Sequence, residues 1–369
     1  MNIAVVGAGV VGLAHAYWAA KAGHKVSVFE RDTQAVGASI RNFGLIWPIG
    51  QEQGKYHDLA VTSRSAWLEL SSLAGFWINP NGSLHLAYHQ DEWEVINEYH
   101  ENTQVKGKLL SATEVQGVTE YIKSDGLQGG LFSDTECTVN PRQAIPAIAD
   151  YLKRELAVDI YYGVTVNHIS MPTIATSSFE TQADAVIICN GSDYRTLFPD
   201  LFSKAPLTKC KLQMMKGTST NTQILGPTLC GGLTLTHYAS FSQCPSLPNL
   251  ISRIEQELSQ FREFGIHVML AQNNQGELII GDSHEYGLDP SPFNSETIDR
   301  LILDYLNKFA QLSGLEITQR WHGVYAKLTN GNPYYRGQPA AGVQVVTGFG
   351  GAGMTLSFGV AKETVDGLD

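Results

Sequence analysis

Gly7, Gly9 and Gly12 fall in the run Gly7-Ala8-Gly9-Val10-Val11-Gly12, the spacing with which backbone can hold a pyrophosphate. The first glycine permits a tight turn. The second removes the Cβ that would keep the backbone off the phosphates, and the third lets a helix close on a strand. Glu30 is the second chemical signal. A carboxylate at the end of the next strand accepts hydrogen bonds from ribose hydroxyls and repels a 2′-phosphate. Far along the chain, Gly348-Phe349-Gly350-Gly351-Ala352-Gly353-Met354-Thr355 sets four glycines ahead of an apolar stretch. That is a second cradle of backbone N–H groups at a helix N-terminus. Such a positive end suits a ring on which negative charge develops during reduction, as at N1 and the C2 carbonyl oxygen of a flavin.

These residues need elements to position them. Asn2–Val6 is a β-branched run that breaks at glycine, 12–22 reads as a helix ended by Gly23, and Lys25–Glu30 alternates as a second strand. Together they make a βαβ unit. Tyr56, Leu59, Ala60, Ser63, Trp67 and Leu70 recur at helical spacing and predict a helix over 56–73. Asn140-Pro141 opens a helix over 141–156. Strands follow over 160–169 and 183–189, the latter ending at Asn190-Gly191. Pro248 and Gly265 bracket a helix over 247–264, 267–271 and 277–281 read as a hairpin, and 296–312 is amphipathic. The chain ends as strand (343–348), glycine turn and helix. Nucleotide-type signals therefore sit at the start, near 141–191 and at the end. We expect an α/β (overall α+β) chain with a Rossmann-like cofactor domain from 1–45, 141–205 and 340–369. A mixed-sheet substrate domain from 46–140 and 206–339 interleaves with it.

Composition narrows the function classes. A length of 369 residues favours two domains, and 43% hydrophobic with 17% charged residues is a globular balance. A net charge of −11 disfavours nonspecific nucleic-acid binding. Cys137, Cys189, Cys210, Cys230 and Cys244 are odd in number, scattered and without a CxxC, which predicts free thiols, no zinc site and a cytoplasmic protein. The apolar N-terminal stretch carries Gly7, Gly9, Gly12 and His15, so no membrane span is expected.

Nearly the whole chain resembles the FAD-dependent amine and amino-acid oxidoreductases, the group of D-amino-acid oxidase, glycine oxidase and monomeric sarcosine oxidase. The resemblance rests on the glycine fingerprint with Glu30, the loop Gly37-Ala38-Ser39-Ile40-Arg41-Asn42-Phe43-Gly44, the strand and turn at 183–191, the strand Gly276-Glu277-Leu278-Ile279-Ile280-Gly281, and the C-terminal cradle. The segment Arg41 to Gln51 is similar to one in a bacterial subgroup linked to aminophosphonate breakdown. The resemblance implies FAD held by Gly7, Gly9, Val10, Val11, Gly12, Glu30 and Arg31. It implies Ser39, Arg41, Asn42, Phe43 and Gly44 along the flavin and pyrophosphate, Val166 against the adenine, and Asn190-Gly191 on its flank. Gly350, Gly351, Ala352, Gly353, Met354 and Thr355 would meet the pyrimidine edge. Relatives with covalent flavin use a cysteine shortly before the cradle. None follows Cys244 here, so noncovalent FAD is expected.

The implied reaction is hydride transfer from the substrate α-carbon to flavin N5, then imine hydrolysis, with oxygen or another acceptor taking the electrons. Several relatives grip the substrate carboxylate with an arginine in the stretch that here reads Gly323-Val324-Tyr325-Ala326-Lys327. Tyr325 stands in its place. Arg41, Lys327 and Arg336 are the candidate anion holders, Trp47 a candidate lining residue, and His267 and His284 sit at the two ends of the hairpin. The preferred substrate is a small anionic amine, an aminophosphonate or its N-methyl derivative. Glycine, sarcosine or a D-amino acid is the alternative. An NAD-dependent dehydrogenase and a noncatalytic flavin subunit of a complex are rival readings from other classes. Oligomeric state stays open.

Overall fold

The computed structural model describes residues 1–103 and 107–368; residue 369, the end of the expected C-terminal stretch, lies outside them. The expected βαβ unit forms as β1 (Asn2–Val6), α1 (Val10–Lys21) and β2 (Lys25–Glu30). α2 (Lys55–Ala74) and α3 (Pro141–Glu155) follow. Asn140 caps α3 by accepting the Arg142 N–H, ahead of proline at the first helical position.

Among the described residues, six strands build the first sheet. They are β1, β2, β3 (Asp159–Tyr162), β4 (Ala185–Ile188) and a pair near the C-terminus. β1 pairs in parallel with both β2 and β4, and β2 with β3. The strands Leu207–Thr218 (β5), Met269–Gln272 (β6), Leu278–Gly281 (β7) and Glu316–Leu328 (β8) belong to a second, mixed sheet. β9 (Tyr335–Ala340) and β10 (Val343–Thr347) then return to the first sheet, β10 parallel to β4 and β9 antiparallel at the edge. α4 (Gly353–Asp366) closes the chain. The Leu278–Gly281 strand is antiparallel to both β6 and β5, so the predicted hairpin stands at the centre of the second sheet.

Three expectations need amendment. The cores do not follow the expected divisions at 45/46 and 339/340. Leu59, Ala60, Ala66, Trp67 and Leu70 of α2 are buried with Val5, Leu13 and Phe358 of the first unit, and β9 starts before residue 340. Trp67 is fully buried there, and its Nε1–H donates to Met354 O at 2.9 Å, tying α2 to the cradle. Truncation of such a tryptophan costs about 3–5 kcal/mol. The helix expected over 247–264 is also two helices, Leu247–Glu257 and Ser259–Glu263. Leu258 leaves the helical region at φ −133°, ψ 38°, and its carbonyl accepts the first N–H groups of the second helix. The helix predicted over 296–312 stops at Phe309, because Ala310 turns extended and bridges to Ile122.

Candidate functional site

β1, β4 and β10 end together, and an open sheet leaves a crevice beyond such carboxyl ends. Here the second sheet covers that crevice and encloses a cavity of about 580 Å³, the size of a cofactor site. Gly7, Asn190 and Gly348, each just past a strand end, line it beside the N-termini of α1 and α4.

The cofactor end is built from backbone. Gly7 adopts φ +104°, a conformation open to glycine, and a Cβ there would overlap the Cys189 carbonyl. A Cβ on Gly12 would overlap the Gly7 carbonyl oxygen, so this glycine sets the contact of α1 on β1. Glu30 closes the loop from the side. Its Oε2 accepts the Ala8 N–H at 2.8 Å and its Oε1 the Asp32 N–H at 3.1 Å. Ser39 Oγ accepts the Val10 N–H at 2.9 Å, bringing the 37–44 loop onto the start of α1. Arg31 pairs with Asp193 at 2.8 Å across the cavity rim. Ser39 Oγ takes the first N–H of α1, and neither α1 nor α4 is capped by the side chain of its own N-cap residue, which leaves further backbone donors of both helices for a ligand. The buried Asn190 Oδ1 has no partner among the described residues and stands in the same cavity. These features fit a dinucleotide whose two halves meet two helix N-termini.

The opposite wall is built from side chains. Period two in β8 puts Gly323, Tyr325 and Lys327 on one face, toward the cavity. Leu212 and Met214 come from β5 and Met269 from β6. Trp47 is buried, and its backbone N–H donates to Thr355 Oγ1 at 3.0 Å, which locks the lining to the cradle. His237, His267 and His284 gather at this wall with ring centroids 3.8, 4.6 and 5.1 Å apart. Burial pushes the His284 imidazole down to about 4, and burial with the neighbouring histidines and Lys327 holds His237 and His267 well below the usual range. Burial raises the Asp282 carboxyl and the Tyr325 phenol.

Most residues singled out from sequence meet at this cavity. Gly9, Val10, Val11, Arg41, Asn42, Phe43, Val166, Gly191 and the whole Gly350–Thr355 stretch line it, as do Trp47, Tyr325 and His267. Three do not. Gly12 and Gly44 stand behind the lining, where a Cβ on Gly44 would overlap the Val139 carbonyl. Arg336 is a correction. It lies on the edge strand β9, its Nη2 donates to Thr364 Oγ1 at 2.9 Å and comes within 3.9 Å of Glu363, and so it ties β9 to α4, away from the cavity. His237, Tyr238, Met214, Met269 and Asp282 line the site without having been singled out. His237 and Asp282 carry no local motif; only the turn at 231–237 and the end of β7 bring them beside His267.

The sequence profile described as "DAO: FAD dependent oxidoreductase" matches residues 2–367. A glycine oxidase of Bacillus licheniformis is 22% identical over 351 residues, 91% of this chain and 84% of that protein. The gamma-glutamylputrescine oxidoreductase of Escherichia coli (strain K12) is 23% identical over 96% of this chain and 80% of its own length. The solved glycine oxidase of Bacillus cereus ATCC 14579 has the same fold, with a TM-score of 0.79 and 19% identity over 99% of this chain and 94% of that one.

Proposed function

Because the chain belongs to the FAD dependent oxidoreductase family, with FAD as its cofactor, we propose that it oxidises the C–N bond of a small anionic amine, an aminophosphonate or its N-methyl derivative. One observation carries this reading. A single cavity joins the glycine fingerprint, the C-terminal cradle and a wall whose polar groups include Tyr325, Lys327, Tyr238, Asp282 and histidines, with no arginine at position 325. A carboxylate prefers the planar fork of arginine. Donors spread over a wall suit a bulkier anion.

When bound, FAD supplies a two-electron acceptor. The chain supplies position and surroundings. Gly350, Gly351 and Gly353 line the cavity, and their backbone N–H groups would stabilise the negative charge that reduction develops on a bound flavin. Trp47, Met214 and Met269 exclude water beside the reacting carbon. Tyr325 and Lys327 face the substrate anion, and Arg41, in the loop against the first sheet, faces the same space. Their spacing fixes which carbon of the amine is presented. The cysteine that relatives with covalent flavin carry shortly before the cradle is missing here, since none follows Cys244, so the expectation is FAD held noncovalently.

An oxygen-uptake and dye-reduction screen over aminoalkylphosphonates, their N-methyl derivatives, glycine, sarcosine and D-amino acids tests the reading. Turnover of the phosphonates with the highest kcat/KM is the expected result. Turnover confined to amino acids favours the alternative, which the 22% identity to a glycine oxidase supports. A protein that carries FAD and turns over no amine overturns both.

A further inference from the structure

We propose that His237, His267 and His284 hold a divalent transition-metal ion of the zinc class, with Asp282 as the carboxylate behind them. One ligand nitrogen of each ring lies within 4.8 Å of the ligand nitrogens of the other two. The site stands apart from the amine-oxidation reading, because it rests on the chain's own donors and not on any substrate.

His284 Nδ1 lies 2.9 Å from Gly265 O. A carbonyl can only accept, so Nδ1 carries the proton and Nε2 keeps its lone pair. A metal-binding imidazole is held in this way, its far N–H given to a backbone carbonyl. His267 is 3% exposed, and its Nδ1 is buried without a partner among the described residues. On the other side of that ring, Nε2 lies 3.1 Å from Asp282 Oδ1, which is also buried without a hydrogen-bond partner among the described residues. A carboxylate behind an imidazole fixes the ring and offsets part of an ion's charge. An orphaned buried nitrogen beside an orphaned carboxylate oxygen is unfavourable in a protein interior, and a cation relieves both. His237 completes the set from the end of the 232–236 turn, where its backbone N–H donates to Thr234 O at 3.1 Å.

The backbone fixes two of the three ligands. His267 and Asp282 exchange backbone hydrogen bonds of 3.2 and 2.8 Å at the paired ends of β6 and β7, and the His284 N–H donates to Phe264 O at 2.8 Å. Zinc–nitrogen bonds of about 2.0–2.1 Å set tetrahedral ligands about 3.4 Å apart. The nitrogens here spread at most about 1.4 Å beyond that spacing, which turns of the imidazoles about χ2 take up. Three imidazoles leave the fourth position of such an ion open. All three rings and Asp282 line the cavity, so an oxygen from the cavity fills it. An anion is the rival ligand, but the His284 lone pair and the Asp282 carboxylate repel an anion's oxygens. The expected absence of a zinc site came from the scattered cysteines. Histidines from three separate connections carry no spacing by which a sequence shows them.

Zinc titration of the untagged, FAD-loaded enzyme at pH 7.5, stripped of metal beforehand and read by competition with a chromophoric chelator, tests the site. One zinc per chain should bind. His237→Asn and His284→Asn should each weaken it about a hundred-fold or more, and Asp282→Asn about ten-fold. His322→Asn should change it less than three-fold, since His322 Nδ1 meets Asn294 outside the cluster. Retention of the flavin absorption band shows that each variant is folded. If His284→Asn loses that band, the half-buried His237 carries the test. X-ray absorption at the zinc edge also counts ligands in the parent and needs no variant. Three imidazoles are expected there. Two or fewer, less than one zinc per two chains, or zinc that ignores both histidine variants overturns the proposal. The titration contains no amine. Failed turnover therefore leaves the metal site standing, and failed zinc binding leaves the amine reading standing.

Discussion

The two walls of the cavity are made of different material. The cofactor wall is mostly backbone: glycines at strand ends, two helix N-termini, and the Glu30 and Ser39 side chains holding the first loop through the Ala8, Asp32 and Val10 N–H groups. The substrate wall is side chains on a sheet, with imidazoles, phenols, methionines and one ammonium. Backbone donors cannot be exchanged by mutation; they can only be displaced. A wall of side chains can change any single group while the strand beneath keeps its register. The difference teaches that the cofactor end is held by shape and the substrate end by composition, so damage to each should look different.

The sharpest test is Gly12→Val. Any Cβ there overlaps the Gly7 carbonyl, and a branched one pushes α1 off β1. FAD affinity should fall more than 100-fold, read as loss of the flavin absorption band in purified protein whose far-ultraviolet circular dichroism is retained. Retention of the band would mean that the first wall tolerates displacement and that the contrast between the walls is false.

Acid should strike mainly the second unit. His85, His267 and His284 are buried there, and burial lowers each imidazole below its usual range, against His15 in the first unit. Burial holds His85 at about 3, and neither of its nitrogens has a partner among the described residues. Below pH 6.5 the unfolded chain takes up a proton that the folded chain refuses until about pH 3. The unfolded state then binds more protons, and stability falls as pH falls. At pH 5 one such group costs about 2 kcal/mol. His85→Phe removes it, whatever constant offset repacking adds against Trp47 and Phe241. The drop in denaturation midpoint between pH 7 and pH 5 should shrink in the variant. An unchanged drop would show that His85 does not govern the acid response.

The same contrast explains what was legible in the sequence. A backbone-built site needs glycine at fixed spacing, so Gly7, Gly9, Gly12 and the 348–355 cradle announced themselves, as did β1, α1, β2, α2 and α3 through periodicity and caps. A wall of side chains needs no residue type at any fixed spacing. His237, His267 and His284 come from three connections and meet through the pairing of β5, β6 and β7. Arg336 shows the converse. Its position near Tyr325 in the chain suggested the site, but β9 returns to the first sheet and carries it away. Sequence nearness to a strand says little once the chain changes sheets.

A smaller effect tests whether the Glu30 side chain matters to the first wall. Glu30→Gln keeps the shape and removes the charge that accepts two backbone N–H groups. FAD affinity should fall about ten-fold, close to 1.4 kcal/mol, in equilibrium titration of apoenzyme. A change below two-fold would assign the loop's order to the glycines and Ser39 alone.

The smallest expected effect belongs to Arg336, which sequence position made a substrate residue and the fold makes a tie. Its guanidinium meets Thr364 and Glu363 and packs over Tyr334, all on the outer side of the first sheet. Arg336→Met keeps much of the packing and loses the charge. The Glu363 pair is partly exposed, so its loss costs at most about 1 kcal/mol. Stability should fall by no more than that, and kcat/KM for the best amine should stay within two-fold of the parent. A ten-fold rise in KM with unchanged stability would return Arg336 to the substrate wall, and would mean that the cavity reaches past β10 to the sheet edge.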